Sequence, residues 1–361
     1  MPSSDGRGAG WRASAGACVV AALLVAACGG TTPSPAPSTG LAAPSNAPTS
    51  AATPRASTAL TASAAPSASP AGGTATPLAS HVTATLLRVA LPTPLSRSVV
   101  AADGRSVLVI GGLTKGGTTG VILRLDPAAG TVAAVGHLAS AVHDAAGARI
   151  GAGLLVIGGG KVVAATAVQL VSASGAGPTS AVIGALPAAR ADGAAVAAAG
   201  RVLVVGGGRG GVPDGAILTT RDGVHFTRLG RLAIPVRYGA VAAVGGAVYV
   251  FGGATSAGDT DAIQRIDLAT GAVRVVGHLP RALSEASAFV LRGRILIAGG
   301  MRSGRPTTAI LAFDPATRRA TVVGRLPSGL ADAGVAVVGD TAYLVGGETG
   351  SAYLASVIEV R

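Results

Sequence analysis

Cysteine is almost missing from this chain. Its two thiols, Cys18 and Cys28, both fall within the first 28 of 361 residues, so nothing beyond them can be cross-linked or can hold a metal through thiolates. A copper centre built on a cysteine–tyrosine cross-link is excluded for the same reason. Aromatic residues make up only 2 % of the chain, and Trp11 is the single tryptophan. That scarcity argues against a sugar site built on stacked rings and against a basic, aromatic-studded nucleic-acid surface. Lysine is nearly absent too, with Lys115 and Lys161 alone among 28 cationic residues, against 16 acidic ones, for a net charge of +12. The arginines are scattered singly, which fits solubility beside anionic neighbours such as phospholipid headgroups or cell-wall polyanions, and no nucleic-acid partner is expected. After Cys28 every apolar run is broken within about a dozen residues by Gly, Arg or Asp, too soon for a membrane-spanning helix.

What is present at the N-terminus is an export pattern. Arg7 and Arg12 precede the apolar run ACVVAALLVAA at 17–27, which ends Val25-Ala26-Ala27-Cys28. Basic residues, a short apolar core and small residues in that order predict a signal peptide over 1–27. The last four residues resemble a bacterial lipobox, which implies that Cys28 is lipidated and becomes the first residue of a chain anchored on the extracytoplasmic face of the cell membrane. A simple secretory signal cleaved nearby is the other reading. From 28 to 80 the chain is almost wholly Ala, Pro, Ser, Thr and Gly, with Arg55 as its one charge. Such a composition cannot bury a core and predicts an extended stalk.

The remainder, 81–361, is a repeat. Four hydrophobic residues run into a Gly-Gly pair six times: VLVIGG (107–112), LLVIGG (154–159), VLVVGG (202–207), VYVFGG (248–253), ILIAGG (295–300) and AYLVGG (342–347). Successive pairs begin 47, 48, 46, 47 and 47 residues apart, the length of one four-stranded propeller blade. A second landmark, Leu91, Leu138, Leu186, Leu232, Leu279 or Leu326, lies 20 residues before each first glycine, and all length variation falls after the glycines. The constant half is where strands must fit a common core, the variable half where loops tolerate insertion. In one unit the strands are predicted at about 286–291, 295–298, 309–313 and 320–326. Continuous apolar runs in the second strand fit burial on both faces between blades.

The chain ends fit each other. A lone strand at 83–89 precedes Leu91, and one strand, 356–360, follows Gly346-Gly347. Together they predict a sixth blade made of one N-terminal and three C-terminal strands, which seals the ring and removes an open edge. The fold expected is therefore an all-β, six-bladed propeller, acting as a monomer.

The double glycine after four hydrophobic residues resembles the mark of kelch-repeat propellers, over about 83–361. The Tyr and Trp usual downstream in that family are missing, while a D-P-A-x-G type turn survives at Asp126-Pro127 and at Asp267. Small and β-branched residues stand in for the aromatics.

Propellers bind ligands at the end of the central channel, so side chains near the start of each inner strand are the natural candidates. Six residues past each landmark Leu stand Arg97, Asp144, Asp192, Tyr238, Glu285 and Asp332, with His143, Arg190 and Arg237 close by. Four acids at one repeated position in an acid-poor chain suggest a polar ring at a channel mouth. They can equally cap backbone amides where each blade begins. No cofactor is expected and no metal motif is spaced along the chain: His137 and His278 repeat one V-G-H-L context, and Asp259 with Asp261 gives only weak grounds for calcium. Gly158-Gly159-Gly160-Lys161 lacks the Ser or Thr, the preceding Gly and the helix that a phosphate loop needs. Two functions stay open. One is a non-catalytic binding module facing a cell-envelope glycan or protein. The other, implied by similarity to kelch-type sialic-acid epimerases, is a sugar-processing enzyme with acid and base among Arg97, Asp144, Asp192, Arg237 and Glu285.

Overall fold

The computed structural model describes residues 81–172 and 177–361. The expectations for the signal peptide, Cys28 and the stalk to residue 80 lie outside them. Among the described residues there is no helix long and apolar enough to cross a membrane, and the regular elements are strands.

Six antiparallel sheets form the blades of a propeller, five of four strands and the third with a further two-residue strand, Val212–Pro213, beside its second. Their inner strands are Val99–Asp103, Ala146–Ile150, Ala191–Ala198, Ala240–Val244, Ser287–Leu291 and Gly334–Val338. In the sixth blade Ser356–Val360 lies between Thr341–Val345 and the N-terminal strand Ala84–Ala90. Ala84 pairs with Val360 and Leu86 with Ile358, so the ring is closed as the chain ends predict.

The second strand of each blade is buried on both faces, as in Leu154 to Ile157 and Val202 to Val205. Its side chains alternate between two neighbours, which divides the core into six apolar clusters, one per interblade gap. The few aromatics are concentrated in one of them. Tyr249 and Phe251 of the fourth blade meet Phe313 of the fifth, with ring centroids 5.2 and 5.3 Å apart.

The glycine pairs do more than end a strand. The second glycine donates its N–H to a carbonyl of the next blade, four residues past that blade's landmark Leu: Gly112 to Val142, Gly159 to Arg190, Gly207 to Val236, Gly253 to Leu283, Gly300 to Leu330 and, closing the circle, Gly347 to Leu95, all at 2.7–2.9 Å. The first glycine lies under that same carbonyl. A Cβ on Gly111 or on Gly206 would stand 2.6 Å from the oxygen, and both glycines of each pair have positive φ. Each pair is a latch between blades that tolerates no side chain.

Candidate functional site

The residues six past the landmark Leu form a closed ring. Each donates its backbone N–H to the carbonyl of its counterpart in the preceding blade: Asp144 to Arg97, Asp192 to Asp144, Tyr238 to Asp192, Glu285 to Tyr238, Asp332 to Glu285 and Arg97 to Asp332, at 2.8–3.2 Å. To do so all six adopt the left-handed conformation, with φ between 50° and 59°. Non-glycine residues reach that region at a cost of about 1 kcal/mol each, least for Asp and Asn, which fits the three aspartates found here. The carboxylates do not cap the backbone at these positions, because the amides are already satisfied by the ring. The six side chains are left to face the channel, where they line one cavity of about 410 Å³ together with the inner strands.

Two arginines organise the charge. Arg97 faces Asp332 through Nε at 3.3 Å, Asp144 through Nη1 at 3.4 Å and Glu348 through Nη2 at 3.7 Å. Arg237 makes a tight pair with Asp192, Nε and Nη2 lying 2.7 and 2.6 Å from Oδ2, and donates to the Tyr238 hydroxyl at 3.2 Å. Its guanidinium also stacks over the Tyr238 ring, 4.9 Å from the centroid, a cation–π contact. His143 sits beside Asp144, Nε2 to Oδ2 at 3.6 Å, with Nδ1 at 2.9 Å from the Thr118 hydroxyl.

Burial shifts the acids upward. Asp144 is pushed up to about 7, by desolvation first and by Asp192 besides, against the pull of Arg97. Desolvation likewise raises Glu285 and, strongly, Asp332, where it acts with the neighbouring Glu285 and outweighs the guanidinium of Arg97. Arg97 itself is held protonated by Asp332 and Asp144 although burial opposes this. Burial and Arg97 lower His143, and burial raises Tyr238. Near neutrality the mouth thus offers carboxylic acids that donate beside carboxylates that accept.

Of the nine residues singled out from sequence, eight meet at this mouth. Arg190 does not. It stands four past the landmark, where the other blades place Leu95, Val142, Val236, Leu283 and Leu330. It is buried, donating to the carbonyls of Gly206 and Ala216 and to Asp214 Oδ2 at 2.5 Å. Glu348 was missed, although a signal existed. The residue after the glycine pair is Leu113, Gly160, Gly208, Ala254 or Met301 in the other repeats, and only here is it charged. Glu348 is buried and accepts a hydrogen bond from the Ser96 hydroxyl at 3.2 Å. Two other histidines stay apart: His278 pairs with Asp261 at 2.9 Å and His225 with Asp222 at 2.7 Å, both exposed.

No protein-family model matches this chain, and no curated protein matches its sequence. Among solved structures it is similar to one titled "Structure of YjhT", with a TM-score of 0.63 and 17 % identity, covering 74 % of this chain and 96 % of that one. At that identity the likeness carries the propeller fold.

Proposed function

We propose that the protein is a kelch-like binding propeller, lipid-tethered outside the cell membrane, that takes a small hydroxyl-rich ligand into the channel mouth and holds it without transforming it. The observation that carries this reading is the convergence of six side chains, one per blade, on a single cavity of about 410 Å³. That size belongs to small-molecule sites. Hydroxyl groups both donate and accept, and the mouth pairs both roles within one wall: protonated and ionised carboxyls, two guanidiniums, a phenol and an imidazole. The export pattern ending at Cys28 supports the location. The test is a thermal-shift screen with monosaccharides and cell-wall fragments, repeated on Asp192→Asn and Glu285→Gln. A sugar that raises the melting temperature of the parent protein and of neither variant is the expected result. A rise preserved in both variants, or no rise with any sugar, overturns the reading.

One observation favours a second reading, proton transfer on a sugar. Asp144, pushed up to about 7, stands 3.6 Å from His143, whose pKa is lowered. A carboxyl that keeps its proton toward neutral pH beside an imidazole that burial and Arg97 hold unprotonated suits acid and base roles. Faster interconversion of sugar anomers, followed by NMR and lost in both Asp144→Asn and His143→Ala, is what this reading requires.

A further inference from the structure

We propose that Glu285, Asp332 and Glu348 form a binding site for one hard divalent cation of the Ca2+, Mg2+ or Mn2+ type at the edge of the mouth. Each contributes a carboxylate oxygen, and the three oxygens lie within 4.8 Å of one another. A Ca2+ ion bound at about 2.3–2.6 Å from each ligand spans oxygens up to roughly 5 Å apart, so one ion reaches all three. The residues come from two adjacent blades: Glu285 heads the fifth, Asp332 heads the sixth, and Glu348 follows the sixth glycine pair. Their convergence depends on the packing of these two blades and leaves no spaced motif in the sequence.

Acids gathered together do not make a metal site, but two of these have buried oxygens that make no hydrogen bond. The Asp332 side chain is only 10 % exposed, and its buried Oδ2 makes no hydrogen bond; neither does the buried Oε2 of Glu285. Arg97 Nε approaches Asp332 Oδ2 to 3.3 Å yet is itself without a hydrogen bond, so the pair is close but out of line. Leaving such oxygens unsatisfied is costly. The local charge points the same way. Arg237 is committed to Asp192 at 2.6 Å, which leaves Arg97, among the described residues, as the one guanidinium paired with Asp144, Asp332 and Glu348. A divalent cation would take the place of the protons that burial otherwise keeps on Glu285 and Asp332, releasing them as it binds. An all-oxygen donor set selects hard ions over Zn2+ or Cu2+.

Calorimetric titration of the full chain, stripped with chelator and then given CaCl2, MgCl2 or MnCl2, tests this. We expect one ion per chain for at least one of the three salts. Affinity should fall about tenfold or more in Asp332→Asn and in Glu348→Gln, since even losing an outer-shell partner costs that much at metal sites. It should stay unchanged in Asp314→Asn, whose carboxylate serves an exposed turn. Glu348→Gln keeps the oxygen that accepts from Ser96, so it decides the matter should Asp332→Asn fail to fold. No uptake of any of the three ions, or uptake undiminished in Glu348→Gln, overturns the site. Neither result depends on whether a sugar binds.

Discussion

A single methyl group is enough to test the latch between blades. Gly252 has a φ of 59°, and a Cβ there would fall inside contact distance of the Leu283 carbonyl oxygen. That oxygen is fixed by the N–H of Gly253 at 2.8 Å, so it cannot retreat without losing the bond. Gly252→Ala is expected to cost roughly 2–4 kcal/mol, combining left-handed strain with overpacking, as read from denaturant unfolding. The glycine pairs were legible in the sequence because only glycine fits the position. The left-handed ring was not, since Arg97, Tyr238 and Glu285 are residue types that give no hint of positive φ. The acids of that ring also carry a pH signature. Asp144, faced by Arg97, Asp192, His143 and Tyr238, holds its proton up to about pH 7 in the folded state but only to about 4 when unfolded. The folded state therefore binds the extra proton in between, and the associated stability, full below pH 4 or so, is lost as pH rises through 7. Thermal melts of Asp144→Asn against the parent should diverge in favour of the variant between about pH 4 and 7; parallel curves would contradict the assignment.

At the scale of one element, the constant interval from Leu to Gly becomes intelligible. The landmark Leu anchors an outer strand, as when Leu138 N–H donates to Gly120 O at 2.7 Å and Leu326 N–H to Thr308 O at 2.7 Å. From there the chain must pass the latch carbonyl, the ring residue and the inner strand before reaching the glycines. Every one of those stations is fixed by a neighbouring blade, so no residue can be added or lost. The third blade shows how a departure is absorbed. Arg190 stands where its counterparts are Leu or Val, and sequence alone placed it at the mouth because a lone arginine beside an acid reads as a ligand group. It is buried as its Leu and Val counterparts are, while the guanidinium is satisfied by Asp214 and two carbonyls. Arg190→Ala should destabilise by about 2–4 kcal/mol through lost packing and lost charge-assisted hydrogen bonds. Arg190→Leu, restoring the side chain of the other blades, should lose less. Chemical unfolding of the two variants measures the difference, and equal losses would refute the packing argument.

The whole ring depends on its last strand. Ser356–Val360 is paired on both sides, with Thr341–Val345 and with Ala84–Ala90, and its Val357, Ile358 and Val360 are buried in two of the six core clusters. Deleting residues 353–361 strands the N-terminal segment and opens two sheet edges. Size-exclusion chromatography and melting of the truncated chain should show aggregation or loss of the folded state; a monomer melting like the parent would show that the seal is dispensable. This closure was legible from the strand count at the two ends. The contacts of Glu348 across it, with Ser96 and Arg97 at the other end of the chain, were not, because they form only once the circle is complete.

The ring of six backbone hydrogen bonds has a consequence for how such a protein can change. Because each amide and carbonyl at those positions is used by its neighbour, the backbone frame of the mouth is held without the side chains, of which it asks only tolerance of positive φ. Arginine, aspartate, tyrosine and glutamate already occupy equivalent seats. The mouth behaves as six exchangeable characters on an invariant frame, but Arg97 pairs with both Asp144 and Asp332, so its chemistry is rewritten in coupled sets rather than one residue at a time.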